Sequence, residues 1–362
     1  MRGADVMQES LFTVKRLEDF VPQAHPLRDI RELLNTALRQ MDSDFNVMYA
    51  DRGRYSIAPE KLLRALVLQS LYGIRSERQL CEHLEYNLLY RWFVGIAMDD
   101  AVWDHSSFTT NRDRLIEHDA VRTLFGHIVA QADAAGLLSD EHFSVDGTLI
   151  RAWASNKSLV PRDGPPPPSS GPRNNPEVDF KGQTRKNDSH VSKTDPDAML
   201  ARKSNNEGAY PSYAGHVLME NRNGLAVDVR LTQATGTAER EAALDMLDDQ
   251  PDARTVGADK NYDTHGFVAA CRERGVTPHV AQNTARRGGS AIDGRTTRHA
   301  GYGISQRIRK LIETHFGDKK QHRGGRQVKV RGLDKVGFAF TLGTAVTNLV
   351  RMTKLLGPPC AA

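Results

Sequence analysis

His142-Phe143-Ser144-Val145-Asp146-Gly147-Thr148 begins as a short apolar run and ends on a carboxylate, and a second run, Leu149-Ile150-Arg151-Ala152-Trp153, follows at once. β-Branched and aromatic residues in runs this short form strands. The pattern returns at Arg254-Thr255-Val256-Gly257-Ala258, which again ends on an acid, Asp259. Between the two, His216 to Glu220 and Leu225 to Leu231 flank Asn221-Arg222-Asn223-Gly224, whose Asn-Gly step supplies a hairpin turn. Helical spacing follows each later strand. One helix runs from Thr237 through Leu247, with Ala242, Ala243, Met246 and Leu247 inward. A second, capped by Asp263 or Thr264, reaches about Arg274; after a strand at Val276 to Val280, a third covers Ile304 to Phe316. Strands alternating with helices make an α/β domain built round one mixed sheet.

Residues 27 to 135 read differently, as helices throughout. Ala58-Pro59-Glu60 opens one that Gly73 stops, Ser76 caps the next with Leu80, Cys81 and Leu84 inward, and Asn87 begins another through Trp92 and Phe93. Helix, short turn and helix is the helix-turn-helix pattern. Ser106-Ser107 is a candidate cap for a further helix. The other reading is a plain bundle with Arg75, Arg78, Arg91, Arg112 and Arg114 on its wet face. The expected organisation is a helical domain over 1–135, an α/β domain over 136–355 and a tail over 356–362. Lys157 to Ser212 interrupts the second domain with nine of the sixteen prolines, including Pro165 to Pro168, and reads as a flexible insert.

The 362 residues, with 39% hydrophobic and 26% charged, exclude wholesale disorder and collagen. Three scattered cysteines, Cys81, Cys271 and Cys360, fit neither a disulfide framework nor a zinc site and point to a reducing cytoplasm. Val336 to Val350, the longest charge-free apolar stretch, is shorter than the roughly 18 residues of a membrane span. No signal peptide, membrane or nucleotide cofactor is expected. Thr284 to Lys335 holds fourteen basic and four acidic residues, although the whole chain carries only +4. Such a segment is either a polyanion-binding surface or a solvated basic loop.

Asp146 and Asp259 are the informative pair. Ligands of open α/β sheets gather at the carboxyl ends of strands, and small carboxylates there suit Mg²⁺ or Mn²⁺. Glu313 is the candidate third acid, isolated among Arg307, Arg309, Lys310, Lys319 and Lys320. Strand-terminal aspartates are also common turn residues and helix caps, and the four-residue spacing of Arg309 and Glu313 also suits a surface salt bridge.

These residues resemble the DDE transposases of the bacterial insertion-sequence-five family. The resemblance rests on Val145-Asp146-Gly147-Thr148, on Gly257-Ala258-Asp259-Lys260-Asn261-Tyr262-Asp263, and on Ser305 to Lys320, where Arg309, Glu313 and Lys320 keep the family's spacing. The position of the family's Tyr holds Gln306, with Tyr302 one helical turn earlier. Arg75-Ser76-Glu77-Arg78-Gln79-Leu80 and His105-Ser106-Ser107-Phe108-Thr109-Thr110-Asn111-Arg112 resemble its helical domain. The resemblance implies a ribonuclease-H-like mixed-sheet catalytic domain behind an all-helical, helix-turn-helix-like one. It implies that Asp146, Asp259 and Glu313 are catalytic and hold two Mg²⁺ ions about 3.5–4 Å apart, replaceable by Mn²⁺. Arg309, Lys320, Arg307, Lys310 and Lys260 would grip DNA, and Tyr262 would line the site or join the core. The implied partners are double-stranded DNA, as terminal inverted repeats and target, and a second copy of the chain in a dimer on that DNA; the implied place is the bacterial cytoplasm, at the nucleoid. Other readings of the same residues are a non-catalytic DNA-binding relative and a metal nuclease without strand transfer.

Overall fold

A computed structural model of the chain describes residues 15–49, 56–162, 185–204, 206–322 and 326–357. The N-terminal part is helical: α1 (Leu17–Phe20), α2 (Leu27–Gln40), α3 (Asp42–Met48), α4 (Pro59–Leu71), α5 (Glu77–Tyr86), α6 (Leu88–Val94), α7 (His105–Glu117) and α8 (Ala120–Ala134). Local chemistry sets the ends. Pro59 occupies the first turn of α4, and Gly73, at φ 59°, takes the left-handed conformation just past its end. Ser76 and Asn87 cap α5 and α6, each accepting a backbone N–H at 3.2 Å. The next cap falls elsewhere than expected: α7 is capped by Asp104, which accepts the N–H groups of Ser106 and Ser107. Nor does Arg91 face water. It is buried and donates to the carbonyls of Leu84, Ala97 and Asp100, closing the loop after α6. Arg112 is held in an ion pair with Glu77 of α5.

The second part is built on strands β1 (His142–Arg151), β2 (Leu159–Pro161), β3 (His190–Ser192), β4 (Met199–Ala201), β5 (Tyr210–Glu220), β6 (Ala226–Gln233), β7 (Thr255–Ala258) and β8 (Thr277–Val280). β5 is antiparallel to β1 on one side and to β4 and β6 on the other, whereas β7 runs parallel to β1 and β8 parallel to β7. The order β6-β5-β1-β7-β8 is that of a ribonuclease-H-like mixed sheet. The two apolar runs around Gly147-Thr148 form one ten-residue strand and not two, because Gly147 and Thr148 stay extended opposite His216 and Gly215 of β5. The hairpin turns where the Asn-Gly step places it. Gly224 has φ 69°, and the buried Glu220 carboxylate accepts the N–H groups of Arg222, Asn223 and Leu225.

The stretch expected to be a flexible insert is ordered in its described parts. β2 pairs β3, β4 extends the sheet, and the Asp195 carboxylate accepts from the Tyr213 hydroxyl at 2.6 Å and the Gly332 N–H at 3.2 Å. A few backbone pairings and one buried carboxylate thus order a segment whose composition supplies no core of its own. Residues 163–184, with Pro165–Pro168, lie outside the described residues, as do 1–14 and 358–362.

Helices α9 (Ala238–Asp248) and α10 (His265–Glu273) cover one face of the sheet, through Ala243, Met246, Phe267 and Cys271 against Val145, Leu218 and Val256. After α11 (Gly294–Thr297), α12 (Ala300–Ile308) and α13 (Leu311–His322) comes the long α14 (Leu333–Leu356), on the other face. The single helix expected over 304–316 is broken at Arg309-Lys310 into α12 and α13. One continuous core runs from Leu34 of α2, Leu63 of α4 and Leu124 of α8, through Val346 of α14, to Val217 of β5 and Val229 of β6. Among the described residues no helix is long and apolar enough to cross a membrane.

α14 lies so close to β5 that a Cβ on Gly215 would stand 2.6 Å from the Phe340 ring. Gly215→Ala is therefore expected to lose about 1–3 kcal/mol of stability by overpacking, and Gly215→Ala/Phe340→Leu to recover part of it; urea unfolding of the two variants measures both.

Candidate active site

β1 carries Asp146 at its middle, and what opens a crevice there is the end of its neighbour. β7 pairs with β1 only as far as Ser144 opposite Gly257, and stops at Ala258. Continued two residues, that register sets Asp146 level with Asp259. The expectation that both acids end strands therefore holds for Asp259 alone. Asp259 also caps the turn that follows it, its Oδ1 accepting the Asn261 N–H at 2.8 Å. Past the end of β7, among the described residues, the β1 edge has no parallel partner until Arg151 bridges Gln327, and side chains in between leave the sheet.

Asp146 is partly buried, and its Oδ1 accepts the N–H of Gly147 at 2.8 Å. Removal from water pushes its carboxyl up to about 7; the charges of Asp259 and Glu239 add to this, while Arg309 and the Gly147 hydrogen bond oppose it. Glu239, in the first turn of α9, is also raised, first by burial and then by Asp259. Its carboxylate lies where a side chain at 147 would be: a Cβ on Gly147 would stand 2.8 Å from Glu239 Oε1. Sequence reasoning missed Glu239, since an acid in a helix's first turn is an ordinary response to the helix dipole. The available signal was Gly147, a glycine inside a strand, which marks close approach of another group.

Two of the expected DNA-binding cations stand at this site. Arg309 acts electrostatically on Asp146 and packs against Gly257 of β7. Its Nε donates to Gln306 Oε1 at 2.9 Å, and Gln306 Nε2 donates to the His279 carbonyl of β8. Gln306, which stands where the family has Tyr, thus aims the arginine. Lys320 is half-buried; removal from water and Lys203 lower its pKa, and Asp146 counters them. Arg307, Lys310 and Lys260 are exposed. Glu313, on the far side of the helix break, is exposed; among the described residues no ion pair joins it to Arg309. Tyr262 belongs to the core: it is fully buried, edge-on to Phe267, and its hydroxyl has no hydrogen-bond partner among the described residues. Tyr302 donates to the Val280 carbonyl at 3.1 Å and meets His279 edge-on.

Partly buried carboxylates beside a further acid want a cation, and all-oxygen donors fit a hard divalent ion. Among the described residues no three His, Cys, Asp or Glu side chains converge closely enough to hold one ion. The chemistry of the donors fits such a metal; the side chains are not gathered round one point.

The sheet is mixed, and two acids stand level at the crevice beside β1. Residues 15–114 match the family model described as "Transposase domain (DUF772)", and residues 139–349, more than half of the chain, match the one described as "Transposase DDE domain". The chain belongs to the DDE transposases, of the insertion-sequence-five type. No curated protein matches it. Among solved structures it is similar to the piggyBac transposase synaptic complex with hairpin DNA, at 10% identity over 93% of this chain and 82% of that one, TM-score 0.38. It is similar also to a pre-cleavage Mos1 transpososome, at 9% identity over 92% and 97%, TM-score 0.24. The Mos1 mariner paired end complex with Mn matches at 11% identity over 93% and 88%, TM-score 0.19. These values are too low to carry any residue's role across.

Between its ordinary 3.8 and about 7, the folded Asp146 carboxyl keeps a proton that the unfolded chain has lost. Stability therefore falls as the pH rises through that window, by on the order of a few kcal/mol. Without added divalent ions, Asp146→Asn is expected to raise the unfolding midpoint at pH 8 and to leave it unchanged at pH 4; thermal denaturation at the two pH values checks this.

Proposed function

We propose that this chain is a DNA transposase that binds the terminal inverted repeats of its insertion sequence, cleaves there by phosphodiester hydrolysis, and transfers the freed 3′-hydroxyl ends to target DNA. The observation that carries the reading is the level placement of Asp146 and Asp259 at the crevice beside β1, flanked by Arg309 and Lys320. In this reading the helices of 1–135 bind DNA and assemble the dimer that brings two ends together, and residues 136–355 carry the chemistry. The protein acts on DNA at the nucleoid of a bacterial cytoplasm.

Asp146, Asp259 and Glu313 would hold two Mg²⁺ ions, with Mn²⁺ as a substitute. Divalent ions so held supply a water of lowered pKa and charge neutralisation at the leaving oxygen. The chain's own groups do the rest. Arg309, aimed by Gln306, grips a phosphate through paired N–H groups, and Lys320 adds a point charge on the same side of Asp146. Partial burial of Asp146 keeps bulk water from screening these charges. Glu313 sits on α13, which follows Arg309 directly across the helix break.

Mg²⁺-dependent cleavage and joining of a labelled duplex carrying the element's terminal repeat tests the reading. Wild type is expected to cut and join, and Asp146→Ala and Glu313→Ala to bind the duplex without cutting; near-normal cutting by Glu313→Ala removes Glu313 from the site, and tight binding without cutting by wild type leaves a non-catalytic DNA-binding protein. Cutting without joining leaves a nuclease.

Phosphate contact by these two cations also sets a salt dependence. Arg309→Ala and Lys320→Ala are each expected to weaken binding whatever the sequence, and to reduce the slope of log affinity against log salt by about one; fluorescence anisotropy across a salt series measures it.

A further inference from the structure

We propose that Arg151, Trp153 and Tyr210 form a stacking platform for unpaired bases of single-stranded DNA. The proposal rests on the reading of the chain as a transposase, since it gives a place to a strand parted from its complement at an opened element end.

Two large aromatic side chains stand in water at one end of the sheet: Trp153 is 45% exposed and Tyr210 is 40% exposed. Strand pairing brings them to the same level. β1 and β5 are in register as far as Arg151 opposite Ser212, and the Ala152 N–H donates to the Pro211 carbonyl at 2.9 Å, so the next step sets Trp153 opposite Tyr210. Residues opposite one another on antiparallel strands share a face, and Arg151, two residues before Trp153, shares it too. Its guanidinium lies over the Tyr210 ring, 4.1 Å from the centroid. Among the described residues no acid pairs with Arg151 and its side chain makes no hydrogen bond, so its N–H donors are open to an anion. The frame beneath is fixed. The Arg151 N–H donates to the Arg326 carbonyl at 3.2 Å, its carbonyl accepts the Val328 N–H at 3.1 Å, and Asn156 donates to the Ala209 carbonyl beside Tyr210 at 3.1 Å. Rings held in this way lose little freedom when a base stacks on them.

Charge decides the occupant. β4 delivers Arg202 and Lys203, exposed just past the pairing of Ala201 with Tyr210, and the bridge from Arg151 to Gln327 delivers Arg326 and Lys329, also exposed. Residues 199–210 and 326–331 hold five basic residues and one acid, Glu207. Exposed rings inside a basic rim fit bases strung on phosphates, because each base has a face to stack and each phosphate draws a cation. In a duplex those base faces are already stacked on one another, and the rings would stand idle. Arg151 lies five residues, about 17 Å, beyond Asp146 along β1 and on its opposite face. Among the described residues the β1 edge between them is open, since β7 has ended. A strand leaving the crevice over that edge reaches the platform within about five nucleotides.

The test is binding of a short oligothymidylate to the full chain without divalent ions, read by anisotropy of the labelled strand and by quenching of tryptophan emission. Trp92 is buried and Trp103 half-buried, so a stacked base reports through Trp153. Trp153→Ala is expected to weaken the oligonucleotide about tenfold and Tyr210→Ala severalfold, with the unfolding temperature and the affinity for a terminal-repeat duplex unchanged. Trp153→Phe is expected to keep most of the affinity and lose the quenching. An abasic strand of equal length is expected to bind more weakly and to quench nothing. Arg151→Gln is expected to reduce the slope of log affinity against log salt on the single strand by about 0.7. Wild-type affinity of Trp153→Ala for the oligonucleotide overturns the proposal, as does an equal loss on duplex and single strand, or an abasic strand bound as tightly as the oligothymidylate. A wild type that stacks on the single strand but neither binds nor cuts the terminal-repeat duplex overturns the transposase reading and leaves the platform standing.

Discussion

α14 is the constraint on which the rest of the structure depends. Its middle, from Phe340 to Val346, is buried all round, and a helix apolar on every side has to be covered on every side. The sheet supplies one cover, through Val217 and Val229, and the N-terminal helices α2, α4 and α8 supply the other. Close approach is possible because β5 presents Gly215 to Phe340. Asn348 then completes the contact, exchanging hydrogen bonds with both the N–H and the carbonyl of Ala226 at 3.0 and 2.7 Å. These bonds pin the start of β6 where its pairing with β5 shifts register between Leu218 and Met219. The helical and α/β parts thus share a core, and the strand that carries Asp146 is held from behind by β5.

What that rigid frame presents is an electrostatic cost. Burial raises the proton affinity of Asp146 and Glu239 beside a sheet edge, and the charge of Asp259 adds to both, with Arg309 and Lys320 as nearby cations. A fold selected for stability alone would place asparagine or an apolar residue at 146. Functional sites commonly keep such unfavourable charge, and the surrounding packing offsets it. The proposed occupants, a divalent ion and a DNA phosphate, are the species that this mixture of acids and bases would bind.

Much of the fold was legible because short-range physics decides it. Ser76, Asn87 and Thr264 cap the helices that their sequence context places after them, and the Asn-Gly turn joins β5 to β6. Other readings failed for stated reasons. Gly147-Thr148 separates two apolar runs but stays extended because β5 pairs along its whole length. Arg91 looks like a wet-face cation, yet its guanidinium satisfies carbonyls that only the folded loop brings together. The continuous helical pattern of 304–316 conceals a break at Arg309-Lys310, where the arginine turns to Gln306 and β7.

The sequence by itself determined the elements, the alternation of strands and helices, the family motifs and the two aspartates, because each depends on neighbours a few residues away. Only the tertiary structure decided which acids meet. Asp146 and Asp259 are 113 positions apart and become level through the parallel register of β1 and β7. Glu239 lies against β1 because α9 packs its first turn on Gly147, whereas Glu313, which the motif spacing singles out, lies beyond a helix break with its side chain in water. Spacing along a chain specifies which face of an element a residue takes; the packing of elements against one another specifies what that face meets.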